Sequence, residues 1–324
     1  MEINRLPLVS IIIPVYGVEK YIEQCAVSLF CQTYTNIEYI FVDDYGTDNS
    51  MKILRDVLYR YKNKELQVKI IKNHKNLGLP QARKNGYEHC NGDYIIHIDS
   101  DDWVDNNYVE ELVKVARRTS SDIVWCDYIW EDPVKPIRYY NRFEDLSKHE
   151  LLKKMLDGDF HSGVWNKLVV RHLYDNIEFA ENGQLEDFFL TFQLFVKASS
   201  WASTHQTNYH YRINPESMTF LPKRIFKRID EEYLNFSQLV FMLERKGFDF
   251  KSLNPNFADR FNALKVAKLK YKETRNICQI KKDHPETVDY VMRQSMSLKG
   301  KLLLWSVTKF NSNIPIYIYD LLKK

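Results

Sequence analysis

Short β-branched apolar runs alternate along this chain with longer stretches whose apolar residues recur every three or four positions. Residues 9–15 form the first run, closed by Pro14, and residues 18–33 follow with Tyr21, Ile22, Cys25, Ala26, Leu29 and Phe30 at helical spacing. The pattern predicts a strand and then a helix. It repeats as strands at 37–42, 68–72 and 94–98, with helices at 49–61 and 79–90 between them. Parallel neighbours need crossover connections, so this order predicts an α/β fold with a doubly wound, mainly parallel sheet. A helix at 108–119, a strand at 123–129, a polar loop at 131–137 and a mixed region to about 214 follow. From 222 onward the pattern is helical.

The length of 324 residues suits about two domains. We expect an α/β domain over 1–220 and a basic, mainly helical region over 221–324. Charge supports this division: residues 1–220 carry 25 basic and 32 acidic side chains, whereas 221–324 carry 21 and 11. Such a basic region suits an anionic membrane surface or a phosphorylated acceptor, and a solvated helical face is the plainer reading. Nucleic acid is not expected, because no helix-turn-helix, zinc-finger or RNP signature accompanies the charge. The 21 Tyr, 18 Phe and 6 Trp hint at surfaces that stack on rings, either bases or sugars. Five scattered cysteines without a C-x-x-C pair suit a reducing compartment. The longest apolar runs fall far short of the roughly 20 residues a bilayer span needs, so a cytoplasmic or peripheral location is expected. Residues 299–324 mix apolar and lysine positions as an interfacial helix would.

Candidate chemistry gathers where predicted strands end, which is where open α/β sheets bind ligands. The strand at 37–42 runs into Asp43-Asp44, a pair suited to a base imino group or ribose hydroxyls, while Asp48 reads as a helix cap. The strand at 94–98 runs into Asp99-Ser100-Asp101-Asp102-Trp103. Three carboxylates in four residues repel one another unless a cation compensates, and Mg²⁺ or Mn²⁺ bridging to phosphates suits them. Between these clusters, Asn76-Leu77-Gly78 leads into a helix carrying Arg83, which suits phosphate. Glu186-Asp187 precedes Phe188-Phe189 at a predicted helix start, where acids also complement the helix dipole.

Taken together, Ser10-Ile11-Ile12-Ile13-Pro14-Val15-Tyr16, Val42-Asp43-Asp44, Asn76-Leu77-Gly78 with Ala82-Arg83, Asp99-Ser100-Asp101-Asp102-Trp103, Trp165-Asn166-Lys167-Leu168, Glu186-Asp187, and Tyr211-Arg212 with Ser217 closely resemble the inverting family 2 glycosyltransferases of bacterial surface polysaccharide synthesis. The resemblance implies a GT-A fold and a donor site formed by Pro14, Val15, Tyr16, Asp43, Asp44, Arg83, Asp99, Ser100 and Asp101. Within it, Asp43 or Asp44 would read the base, Arg83 would support the nucleotide, Asp99 would contact ribose or donor sugar, and Asp101 would hold Mn²⁺ or Mg²⁺. Asp187 would be the catalytic base. Asp102, Trp103, Trp165, Lys167, Glu186 and Arg212 would lie near the acceptor or the diphosphate. Two positions depart from the family pattern beside the nucleotide: Gly17 stands where Asn is usual, and Tyr45-Gly46 where Gly-Ser is common.

The implied reaction is metal-dependent transfer of a hexosyl or N-acetylhexosaminyl group from a nucleotide-sugar, a UDP-sugar first, to a glycan or polyprenyl-diphosphate-linked acceptor. A second copy of the chain is a further candidate partner. A decayed carbohydrate- or nucleotide-binding protein on the same fold is the alternative. A haloacid-dehalogenase-type phosphatase also carries an Asp-x-Asp, but here Trp103 occupies the position where such enzymes need Thr or Val. No G-x-G-x-x-G supports a dinucleotide enzyme.

Overall fold

The computed structural model describes residues 5–132, 134–140, 142–214 and 225–253. The expected alternation is present: β1 (Val9–Val15), α1 (Ile22–Phe30), β2 (Ile37–Asp43), α2 (Ser50–Arg60), β3 (Gln67–Lys72), α3 (Leu79–Glu88) and β4 (Tyr94–His97). These strands pair in parallel in the order β3-β2-β1-β4. β1 and β2 are buried along their whole length, as central strands covered on both faces must be. β3 is the edge, and its charged residues Lys69 and Lys72 blunt it.

The second half of the sheet is mixed. β5 (Trp103–Val104), α4 (Tyr108–Thr119), β6 (Ile123–Glu131), β7 (Ile137–Tyr139), α5 (Lys148–Asp157), β8 (Lys167–Val170), α6 (Glu186–Lys197) and β9 (Trp201–Arg212) follow. The sheet continues from β4 through β8, β6 and β9 to β5, with β7 on β6. β8 runs antiparallel to both β4 and β6, whereas β6 and β9 are parallel. β5 then pairs antiparallel with β9, Trp103 opposite His210. This pairing ties the acidic segment after β4 to the last strand of the sheet.

Two local features set up the site. The first helix begins at Ile22 and not at 18, because residues 18–21 form a turn in which Tyr21 N and Ile22 N both donate to Val18 O at 2.8 and 2.9 Å. Gly17 enters that turn at φ 68, a region that strains side-chain-bearing residues. In α3, a Cβ on Gly86 would come within 2.5 Å of Ile12 Cγ2. The helix therefore lies close against β1, and Arg83, one turn earlier, is pressed into the interior of the site.

The chain divides into two compact units, Met1–Leu221 and Pro222–Lys324. In the second, α7 (Ile225–Arg245) and α8 (Phe250–Leu253) are described. The segment 299–324, Ser217 and Cys278 lie outside the described residues. Among the described residues no helix is long and apolar enough to cross a membrane.

A buried carboxylate holds the parallel half together. Glu38 on β2 accepts from Ser10 Oγ at 2.6 Å, Lys69 Nζ at 2.9 Å and the Asn91 backbone. Burial pushes its carboxyl up, but the hydrogen bonds from Ser10, Lys69 and Asn91 outweigh burial and hold it below its ordinary value. The stabilisation is thus present above the ordinary glutamate range and lost as pH falls through the depressed value. Glu38→Ala is expected to cost about 3 kcal/mol at pH 7 and to flatten the acid limb of the stability profile, both read by chemical denaturation across pH.

Candidate active site

A single guanidinium organises the centre of the site. Arg83 on α3 is fully buried, a position that costs its charge heavily unless carboxylates surround it. Its Nη2 donates to Asp99 Oδ1 at 2.7 Å, and its Nη1 donates to Asp187 Oδ1 at 2.8 Å and also to Glu186 Oε1. One side chain therefore joins the end of β4 to the first turn of α6. Burial pulls the Arg83 pKa down, yet Asp187 and Asp99 together raise it above its ordinary value, so it stays cationic. Arg83, expected to support the nucleotide, makes these contacts within the protein, next to the acid segment.

The acid segment after β4 is held from β9. Tyr209 Oη donates to Asp102 Oδ2 at 2.7 Å and accepts from Asp99 N at 3.2 Å. Arg212 N donates to Asp102 Oδ1 at 2.7 Å, and Arg212 Nε donates to Asp101 O at 2.8 Å. The Arg212 guanidinium sits 4.5 Å from the Trp103 ring centre and 5.0 Å from that of Tyr21. Asp102 and Ser100 are buried within this framework. Asp102 is pushed well above the usual carboxylate range by burial and by Asp101 and Asp99. Asp101 is half-buried, with Oδ2 accepting from Asn214 Nδ2 at 3.1 Å.

Asp99 keeps 22% of its side chain exposed, and its pKa is pushed up to about 6 by burial, with Arg83 opposing and Asp187 and Asp101 adding to the rise. Because that value lies above the unfolded range, this group's contribution to stability is full below about pH 4 and lost as pH rises through about 6. Asp187 retains 32% exposure, against 5% for Glu186, so Asp187 is the more accessible acid of the pair.

The base-side pair divides its duties. Asp44 accepts from Asn73 Nδ2, Leu77 N and Gly78 N at 2.8–2.9 Å and so shapes the loop before α3. Asp43 accepts from Tyr45 N at 3.1 Å. Of the first motif, Pro14 and Val15 are buried and Tyr16 is 56% exposed. Tyr45, at φ 63, is also exposed and faces Lys72 Nζ at 5.9 Å.

Trp165 and Lys167 are both buried. Lys167 Nζ donates to His161 O, Gly163 O and Asn166 Oδ1, which uses all three ammonium protons within the preceding loop. Burial pulls its pKa down to about 7 despite the charge of Asp187. Trp165 stacks on Tyr209 at 4.3 Å. Sequence reasoning missed Tyr209, Asn214 and His161. Tyr209 carried no signal apart from its place two residues before Tyr211-Arg212.

Asp99, Asp101, Asp102, Glu186 and Asp187 gather here around Arg83 and Arg212, an acidic set that a cation would complement. Among the described residues no group of three or more His, Cys, Asp or Glu forms a complete protein cage for a metal. Mg²⁺ and Mn²⁺ need none when substrate phosphates and water supply the remaining oxygens, and one half-buried carboxylate such as Asp101 fits that donor set.

The model of the family described as "Glycosyl transferase family 2" matches residues 10–177. The chain is 33% identical over 221 residues to EpsH of Bacillus subtilis (strain 168), provisionally named a glycosyltransferase, covering 65% of this chain and 62% of EpsH. The chain thus spans less than two thirds of that relative's length. Staphylococcus aureus TarS 1–349, solved in complex with UDP-GlcNAc, superposes with a TM-score of 0.60 at 17% identity, over 88% of this chain and 80% of that one. The mannosyltransferase PcManGT of Pyrobaculum calidifontis, solved with GDP-Man and Mn²⁺, gives 0.56 at 13% identity, over 99% and 89%. These likenesses show the fold, the GT-A arrangement.

Replacing Arg83 with Gln leaves three carboxylates facing one another without a cation. The variant is expected to lose about 3 kcal/mol at pH 8 and to recover part of it toward pH 5 as the carboxyls take up protons, measured by thermal unfolding across pH.

Proposed function

The chain belongs to glycosyl transferase family 2, and we propose on that premise that it transfers a sugar from a nucleotide-sugar, a UDP-sugar, to a hydroxyl of a glycan or lipid-linked acceptor with inversion. The observation that carries this reading is the joining of Asp99 and Asp187 through one buried guanidinium. It ties the acid segment after β4 and an accessible carboxylate on α6 into one frame, as a donor and an acceptor held together for transfer would need. The TarS complex with UDP-GlcNAc supports the choice of donor nucleotide.

Asp43 and Tyr16 meet the nucleoside end of the donor, and Asp99 meets its ribose or sugar. Asp187 takes the proton of the acceptor hydroxyl as that oxygen bonds to the anomeric carbon, and the bond from that carbon to the nucleoside diphosphate breaks. One displacement from the opposite face inverts the centre. Asp101 would hold Mn²⁺ or Mg²⁺, which when bound neutralises charge on the diphosphate. The PcManGT complex with Mn²⁺ supports this cofactor. Arg212, anchored between Tyr21 and Trp103, keeps the acid segment in register while Glu186 holds Arg83.

The basic region 221–324 serves a membrane-borne anionic acceptor in this reading, at the cytoplasmic face, with each Lys or Arg near the surface contributing on the order of 1 kcal/mol. In this reading the enzyme takes part in assembly of a surface polysaccharide. Flotation of the full chain with vesicles is expected to show binding that depends on anionic lipid, and equal recovery with neutral vesicles would contradict this placement.

Two substitutions separate the site's roles. Asp187→Asn is expected to lower transfer by roughly 10²–10⁴-fold while leaving UDP affinity unchanged. Asp101→Asn is expected to abolish the Mn²⁺-dependence of UDP binding in calorimetry. Near-normal transfer by Asp187→Asn would rule out its role as base.

A further inference from the structure

Among the described residues, four other than glycine hold the left-handed backbone conformation: Tyr45, Ser120, Asn176 and Leu185. Asn tolerates this region and Ser is small, but a bulky side chain there is strained. The two bulky residues both border site acids, Tyr45 directly after Asp43-Asp44 and Leu185 directly before Glu186-Asp187. Leu185 has a local reason, since it starts α6 and its carbonyl accepts from Phe189 N at 2.8 Å. Tyr45, at φ 63, begins no helix and holds a place that glycine would take without strain.

Packing does not account for it. The Tyr45 ring is 49% exposed, so its burial offsets little of the strain. The residue stands instead at the carboxyl ends of three parallel strands. Asp43 lies opposite Val15 of β1 and Lys72 of β3, Tyr45 N donates to Asp43 Oδ1 at 3.1 Å, and Lys72 Nζ is 5.9 Å from the Tyr45 ring centre. The next residue closes the turn against the first motif: a Cβ on Gly46 would lie 3.8 Å from Tyr16 Cα and 3.6 Å from Gly17 N. Tyr16, which follows Val15, is itself 56% exposed. Two open aromatic rings thus stand on the ends of β1 and β2, next to Asp43.

We propose that Tyr45 is a specificity-determining residue that selects a pyrimidine over a purine at the nucleoside end of the donor. Its ring stacks on the single ring of the base and fills the space that the second ring of a purine would take. The proposal rests on the transferase reading and adds the residue that sets the donor's base class. Stacking on an aromatic side chain tolerates any base, so the selectivity comes from the steric limit, an element that acts against the wrong ligand. A glycine in the same conformation would relieve the strain and open the pocket. Strained residues persist where function holds them, and this one faces the base.

Calorimetry of the full chain with UDP and GDP in the presence of Mn²⁺ tests it, together with thermal unfolding. Both bases present an imino N–H to an acceptor such as Asp43, so ring size is what separates them. The wild type is expected to bind UDP at least about tenfold more tightly than GDP. In Tyr45→Gly, UDP affinity should fall about tenfold, as the loss of one stacked ring implies, and the preference for UDP should shrink to within about threefold, while the thermal midpoint does not fall. Tyr45→Phe should keep both the affinity and the preference. An unchanged preference in Tyr45→Gly would overturn the proposal, and a lower midpoint would do so too by assigning the ring to packing. A wild type that binds GDP as tightly as UDP would overturn it and leave the transferase reading in place, whereas one that binds neither would overturn both.

Discussion

The Arg83 guanidinium is the constraint on which the site depends. Coulombic contact with three carboxylate partners offsets the desolvation of this fully buried cation, and removing the guanidinium would leave those acids facing one another without a counter-charge. Its position follows from packing. Gly86 lets α3 lie close to β1, and Gly78 at φ 84 turns the chain into that helix. Backbone geometry in one βα unit thereby sets where the acids of two others meet.

A second set of constraints comes from the far edge of the sheet. Tyr209, Arg212 and Asn214 each reach a residue between Asp99 and Asp102, and Trp103 lies stacked on His210 at 5.0 Å. His210 itself is pinned by Glu131 and Asp105, one on each ring nitrogen. The acid segment is a short span held at both ends. Burial and the neighbouring acids raise the Asp99 and Asp102 pKa values, and such an acid segment suits a site that takes up a cation with its substrate.

Much of the first hundred residues was legible because parallel strands buried on both faces read as continuous apolar runs, and their helices read at the 3.6 period. The same logic placed the acids at strand ends. Less visible was the mixed half of the sheet: β5 is two residues long, β8 four, and β9 alternates polar and aromatic residues that resemble a loop in composition. Arg83 was singled out, but its partners are 16 to 104 residues away and no local pattern reveals them. Lys167 and Asp44 read as ligand contacts and also organise loops within the chain, because a charge that satisfies backbone groups leaves the same sequence trace as one that meets a substrate. Tyr209 acts through a single hydroxyl, and periodicity reports only its ring.

Stereochemistry tests the account most directly, since a single displacement assisted by Asp187 permits one outcome. Proton NMR of the glycoside formed from an α-linked UDP-sugar in the presence of Mn²⁺ would show the configuration of the new anomeric bond. The account predicts a β linkage, and an α linkage would contradict it.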